Sequence, residues 1–438
     1  MTELLLKDGR VVDPTSAHDA TADVRIADGE IAEVGVGLDP GTAEVVDCAG
    51  LWVLPGFVDL HSHLREPGFE DAEDVETGTA AAAAGGYTAV CAMANTDPVC
   101  DTPSVAELVL RRAREAGHCD AFPVGAITKG LRGEELAELG ALRHTCGVDF
   151  FSDDGKPVAD ALMMRRALHY ARAFDAVICN HAQDLALTID AEMNEGEMSA
   201  VLGLAGWPHE AEETMVARDL ILAAGLGARL HVPHASTAGT VELIRAAKAR
   251  GVRVTAEVTP HHLVLDDRAI ASYDPTLKVN PPLRTPEDVA ALRRGLADGT
   301  IDAVATDHAP HPPEQKEQEW EHAPPGVLGL ETAFAVVVTE MVAEEARPED
   351  GVIDLATAVE RFTAGPARVR DVGGHGRGVV AGAPANLTVV DPEAVWTVEG
   401  RRLRSRSRNT PFEGKKLSVR PVHTLLRGQF TLRDELLA

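Results

Sequence analysis

The sequence predicts an α/β protein: a (β/α)8 barrel of the TIM type with a small β-sandwich module formed from both termini. Three observations point to it. A chain of 438 residues exceeds one ordinary domain but suits one large barrel with an appended module. Both ends are rich in short β-type runs, whereas the middle alternates short apolar runs with longer helical stretches. Histidines and aspartates recur where those apolar runs end.

At the N-terminus the runs are Glu3–Leu6, Asp23–Ile26, Ile31–Val36 and Ala43–Val46, broken at Lys7-Asp8-Gly9 and Ala27-Asp28-Gly29, which reads as a small antiparallel sheet. Near the C-terminus Asn386–Val390, Val395–Val398 and Thr424–Leu426 repeat the pattern, with turns at Gly382-Ala383-Pro384 and Glu399-Gly400. One discontinuous module, residues 1–54 plus 379–438, is expected around a barrel of residues 55–378. Eight barrel strands are expected at Val53–Leu60, Thr88–Met93, Ala121–Ala126, Val148–Phe151, Ala176–Asn180, Arg229–Val232, Val252–Val258 and Ile301–Ala305. Helices are expected between them at Ser104–Ala116, Ala159–Ala173, Glu210–Ala223, Thr240–Ala249 and Thr285–Ala297. No internal repeat and no low-complexity linker interrupts the series.

Composition narrows the function. A hydrophobic fraction of 45% supports a sizeable core, and a formal charge of −28 disfavours binding to nucleic acid or to an anionic membrane. The six cysteines are scattered with no C-x-x-C pair, which reads as reduced thiols in a cytoplasmic protein. The opening Met1-Thr-Glu-Leu-Leu-Leu-Lys-Asp-Gly lacks the layout of a signal peptide. No apolar run is long enough for a membrane span, and the alanine run Ala80–Ala84, stopped by Gly85-Gly86, belongs to a soluble helix.

The strand ends carry the chemistry. In barrels of this type functional groups sit at the C-terminal ends of the strands. Strand 1 runs into His61-Ser62-His63-Leu64-Arg65, and the i, i+2 spacing on a strand points both imidazoles to one side. Strand 2 is followed by Asn95-Thr96-Asp97, strand 4 by Ser152-Asp153-Asp154-Gly155, strand 5 by Asn180-His181 and strand 6 by His234-Ala235-Ser236-Thr237. Strand 7 is followed by His261-His262 and strand 8 by Thr306-Asp307-His308-Ala309-Pro310-His311. Neutral nitrogen donors mixed with carboxylates suit a divalent-metal hydrolase, and zinc, cobalt and manganese all stay open as the ion.

Taken together, DLHSHLREPG, FSDDGKP, HAST, EVTPHH, NPPLR and ATDHAPH resemble the dihydroorotase family of the amidohydrolase superfamily. Within it they resemble the branch in which an aspartate, rather than a carboxylated lysine, bridges the metals. The similarity runs through nearly the whole chain; Ala94 departs from the proline usual before Asn-Thr. The resemblance implies two Zn2+ per subunit: His61, His63 and Asp307 for the first, His181 and His234 for the second, and Asp154 between them. Adjacent strand residues face opposite ways, so only one of Asp153 and Asp154 is expected at the metals; the resemblance favours Asp154, leaving Asp153 to brace the loop. Lys156, past the turn glycine, reads as a solvated lysine.

For substrate, the resemblance implies His63, Arg65, Asn95, Asn280, His311 and the Pro325-Gly326 backbone. A ligand with an α-carboxylate and a ring imide calls for a guanidinium and amide donors, which these supply. Arg284 reads as a salt-bridged residue on the barrel rim, and His118, His144, His169 and His209 as structural or exposed. His231 reads as core-facing or a hydrogen-bond partner, His261 and His262 as support or direct contact, and His308 has no assigned role. The polar segment His311–Pro325 suits a lid or a surface loop.

The implied reaction is the reversible cyclisation of N-carbamoyl-L-aspartate to L-dihydroorotate in pyrimidine formation, with Asp307 as base and then acid. Two rivals remain. One is another cyclic amidohydrolase (hydantoinase, dihydropyrimidinase or allantoinase); the other is a catalytically silent barrel that assembles with aspartate transcarbamoylase. A homodimer is also expected from the resemblance.

Overall fold

The computed structural model describes residues 3–438; Met1 and Thr2, where the segment read against a signal peptide begins, lie outside the described residues. Eight parallel strands close into the barrel, numbered 1 to 8 below: Phe57–Ser62, Tyr87–Ala92, Asp120–Pro123, Phe150–Ser152, Val177–Cys179, Arg229–Val232, Val254–Val258 and Ala303–Val304. The ladder has two seams closed by single bridges. Between strands 3 and 4, Gly125 pairs with Phe151; between strands 8 and 1, Ser62 pairs with His308, and His63 N–H donates to the His308 carbonyl at 2.8 Å.

Apolar side chains fill the interior, including Val58, Leu60, Ala89, Cys91, Phe150, Cys179 and Ala303. The outward faces pack on helices that start and stop where side-chain chemistry dictates. Pro286–Asp298 is opened by a Thr285–Asp288 capping box with proline in its first turn, and it ends at Gly299 in the left-handed region. The five helices expected from periodicity form within three residues of their expected bounds.

The first apolar run behaves differently from its expectation. Val53–Leu60 is not one strand: Trp52–Pro55 joins the terminal sheet, and barrel strand 1 begins at Phe57. Gly56 is the joint. A Cβ there would lie 2.4 Å from the Thr88 side chain, so only glycine lets the backbone pass strand 2 at this point. An all-apolar run has no period to reveal such a break.

The terminal module is a nine-stranded mixed sheet, not a small antiparallel one. Leu4–Asp13 pairs antiparallel with His18–Ala27 but parallel with both Glu44–Asp47 and Trp52–Pro55. Lys7-Asp8-Gly9, expected to end the first strand, instead forms a bulge within it, with the register shifting between Leu6 and Gly9. Trp52–Pro55 pairs onward with Leu387–Thr397, which pairs with Lys416–Leu426. Leu6, Val11, Val24 and Val53 share one core with Leu387, Val389 and Leu425 from the other terminus, so both ends of the chain build one module. Among the described residues no helix is long and apolar enough to cross a membrane.

Candidate metal centre and substrate pocket

Every strand end that sequence marked with histidine or aspartate opens onto the same mouth of the barrel. His61 lies within strand 1 and His63 just past it; Asp154, His181, His234 and Asp307 follow strands 4, 5, 6 and 8 by two or three residues. His61 Nε2 is 3.4 Å from Asp154 Oδ1 and 3.5 Å from Asp307 Oδ1. His63 Nε2 lies 3.2 Å from Asp307 Oδ1 and 3.5 Å from Asp154 Oδ2. From the other side, His234 Nε2 and His181 Nδ1 approach Asp154 Oδ1 at 3.4 Å and 3.5 Å. Asp154 is therefore the hub that all four imidazoles face.

Asp153 turns the other way. Its carboxylate accepts the Ile127 and Thr128 N–H groups at 2.7 and 3.0 Å, and the Thr128 hydroxyl as well, tying strand 4 to the loop after strand 3. Lys156 is exposed and outside the cluster.

These donors fit a divalent cation. His61, His63 and Asp307 offer ligand atoms within 4.8 Å of one another, as do His61, Asp154 and His234. His61 Nε2 is fully buried with no hydrogen-bond partner of its own, a costly state unless something else takes its lone pair. The electrostatics agree. Burial opposes charge on His61, yet Asp154 and Asp307 push its pKa well above the usual imidazole value. For Asp154, burial pulls the other way, and the imidazoles still hold its pKa well below the usual carboxylate range. The two carboxylates thus favour positive charge at His61, while burial keeps the His63 pKa below the usual imidazole value.

The orientation of the ligands is set by residues the sequence reading did not single out. Glu257 on strand 7 accepts from His61 Nδ1 at 2.9 Å with one oxygen and meets His231 Nε2 at 3.0 Å with the other. This leaves His61 Nε2 as the lone-pair nitrogen facing the carboxylates. Burial raises the Glu257 pKa, but His231 and His61 outweigh it and bring the group down to about 2. Gln183 accepts from His181 Nε2 at 3.1 Å, so Nδ1 is the nitrogen His181 presents. Their signal was faint: a buried acid inside a strand, and an amide two residues from a histidine.

Backbone geometry adds to the case. His234 (φ 32°), Asp307 (φ 46°) and Arg65 (φ 60°) all occupy the left-handed region. Each such residue carries strain of order 1–3 kcal/mol that glycine would relieve, but glycine would remove the functional side chain.

The expected substrate residues line the same mouth. Arg65 donates from Nε to the Pro310 carbonyl at 3.1 Å, and its Nη2 is 3.5 Å from His311 Nε2. His311 Nε2 donates to the Pro325 carbonyl at 2.9 Å, beside Gly326 at φ 135°. A Cβ on Gly326 would come 2.8 Å from His311 Nε2, so the close approach requires glycine. Asn95 gives its carbonyl oxygen to His63 Nδ1 at 2.9 Å, leaving its amide nitrogen for a ligand. Asn280 donates to Gln183 at 3.3 Å, while its buried Oδ1 has no partner.

Arg284 corrects its expectation. It is only 1% exposed, and it donates to Ser236 Oγ, Asn194 Oδ1 and the Trp207 carbonyl instead of pairing on the rim. Of the other histidines, His231 bonds Thr255 as well as Glu257, His262 bonds Thr259 and the Pro281 carbonyl, and His308 bridges Glu73 and the Gly329 N–H. His261 Nε2 is buried with no partner. Segment 311–325 is packed down, with Trp320 on Met193, Ile270 and Val279, and Lys316 capping the Lys278 and Pro324 carbonyls.

Comparison with known proteins agrees with this architecture. The family described as dihydro-orotase-like matches residues 50–240. The dihydroorotase of Streptomyces coelicolor is 56% identical over 93% of this chain and 95% of its own length. That of Mycobacterium tuberculosis is 54% identical over 94% of this chain and 95% of its own. Among solved structures, the L-hydantoinase (dihydropyrimidinase) from Arthrobacter aurescens superposes with a TM-score of 0.87 at 25% identity, covering 100% of this chain and 98% of that one.

Proposed function

The chain belongs to the dihydroorotase family, and from that premise we propose that the barrel mouth reversibly cyclises N-carbamoyl-L-aspartate to L-dihydroorotate and water. The enzyme is a cyclic amide hydrolase serving pyrimidine (UMP) formation. The observation that carries the reading is the convergence of four imidazoles on Asp154, with Asp307 beside them and Arg65 and His311 across the mouth.

In this reading His61, His63 and Asp307 would hold one of two zinc ions per subunit and His181 and His234 the other, with Asp154 within reach of both groups. When bound, such ions supply Lewis-acid polarisation of the ring carbonyl and water acidified enough to ionise near neutral pH. The chain supplies the rest. In ring opening, Asp307 takes the proton from the attacking water and returns it to the departing ring nitrogen; in closure it runs the same transfers backwards. Its contact with His63 Nε2 fixes the carboxylate at the mouth. Arg65 and His311 receive the substrate carboxylate, and Asn95 Nδ2, Asn280 Oδ1 and the Pro325-Gly326 backbone read the ring imide by donor and acceptor.

All six cysteines are unpaired, in keeping with a cytoplasmic setting. The subunit is proposed to work as a homodimer or beside aspartate transcarbamoylase, which sedimentation of the chain alone and with that enzyme tests. The activity test is turnover of zinc-loaded protein on L-dihydroorotate and N-carbamoyl-L-aspartate beside hydantoin and allantoin. Interconversion of the first pair alone is expected. Activity confined to hydantoin or allantoin would overturn the substrate assignment, and inactivity with metal bound would favour the silent-partner alternative.

A further inference from the structure

Much of the substrate side of the pocket hangs on one residue from outside the barrel. Asn409 lies between the strands Leu387–Thr397 and Lys416–Leu426, on the C-terminal segment that crosses back to the barrel mouth, and is 4% exposed. Its Nδ2 donates to the carbonyls of Ala309 and Gly326, both at 3.0 Å. Its Oδ1 accepts the His311 N–H at 3.2 Å, and its own carbonyl takes the Leu328 N–H at 3.0 Å. Both amide hydrogens and one lone pair are thus spent on main chain flanking the substrate. One tied segment carries His311, onto whose neighbour Pro310 Arg65 donates; the other carries Pro325-Gly326. The same two segments also meet directly at the His311–Pro325 bond and through the Ala309 N–H to the Val327 carbonyl at 2.8 Å, and Asn409 is the side chain from outside the barrel that bonds both.

We propose that Asn409 is a positioning residue for carboxylate recognition: it touches no substrate atom but sets the spacing between the Arg65–His311 pair and the Gly326 backbone. The proposal rests on the dihydroorotase reading above. An amide suits the task because only Asn or Gln offers two N–H donors and an acceptor in one plane, and the shorter stem fits a buried site.

The test compares Asn409→Asp, which keeps volume and the acceptor but loses both donors, with Asn409→Ala. Ser407→Ala serves as the control: Ser407 lies on the same segment and donates to the Ala72 carbonyl at 2.7 Å, away from the substrate segments. KM and kcat for L-dihydroorotate, and the Kd for orotate by calorimetry, are measured on zinc-loaded proteins checked for folding by circular dichroism. Either folded Asn409 variant is expected to raise KM and the orotate Kd about tenfold or more while kcat stays within about threefold, the pattern of lost ground-state and transition-state binding alike. Ser407→Ala is expected to leave both constants unchanged. Unchanged KM and Kd in a folded Asn409 variant, a fall in kcat alone, or an equal rise in KM for Ser407→Ala would overturn the proposal. Absence of dihydroorotate turnover in the unmodified chain would instead overturn the reading on which it rests.

Discussion

The two ends of the barrel use the same kinds of side chain to opposite effect. Where the strands start, carboxylates meet cations. Asp149, just before strand 4, is 2.8 Å from Arg370, whose guanidinium also lies over the Phe122 and Phe150 rings; Asp120 at the head of strand 3 meets His375 and Arg427. Where the strands end, Asp154 and Asp307 meet only imidazoles, and the inward nitrogen of His61 has no hydrogen-bond partner. Opposite charges paired within the chain close one end, although Asp149 Oδ1 and Arg370 Nε lack a hydrogen-bond partner there. At the other, groups left unsatisfied by the chain make a site whose missing partner is a cation.

The sharpest way to break the contrast is Asp307→Asn. The amide keeps size and shape but cannot carry the proton, so kcat is expected to fall by roughly 10²–10⁴ with the fold intact. Turnover within tenfold of wild type, measured with metal content in the same samples, would remove Asp307 from its role. At the opposite end, Arg370→Met leaves Asp149 buried without its cation and is expected to cost about 3–5 kcal/mol in a denaturant titration. The specific activity of the molecules still folded should not change; if it does, the two ends are not separable.

Glu257→Gln probes the layer behind the ligands. It leaves one acceptor oxygen where His61 Nδ1 and His231 Nε2 use two, and metal affinity is expected to weaken about 10–100-fold by competition with a chelating dye. Unaltered affinity would mean His61 holds its orientation by packing alone.

The smallest effect concerns Lys316 on the packed segment 311–325. Burial, then the charge of Lys278, with Asp274 opposing, brings its pKa down to about 7. With the packed form holding fewer protons than the open one between pH 7 and the usual lysine range near 10.4, packing should strengthen as pH rises through that window. Below about pH 7 the full cost of burying the charge is present. Limited proteolysis within 311–325 should slow from pH 7 to 9 in the wild type relative to Lys316→Met; identical slopes would refute it.

Much of this was legible in the sequence because barrel chemistry sits at strand ends, and strand ends are marked by the residue types themselves. His61-x-His63 and the aspartates after strands 4 and 8 need no neighbour to be noticed. Glu257 and Asn409 act through residues tens to hundreds of positions away, so no local spacing announces them, and Gln183, two residues from His181, carries only an amide that marks no ligand. Charge alone also misled at Arg284, whose partners Ser236 and Asn194 are neutral and distant in sequence. The split at Gly56 and the bulge at Lys7-Asp8-Gly9 escaped for a different reason: apolar periodicity records burial, not which sheet a strand joins or whether a turn-like triplet stays within its strand.

The most direct measurement strips the protein with a chelator, titrates Zn2+ back, and follows bound metal and L-dihydroorotate turnover in the same samples. If the unsatisfied strand-end groups are the cation site, turnover is absent in stripped protein and rises in step with bound metal. Stripped protein that turns over at the original rate, or zinc that binds without restoring it, would contradict that assignment.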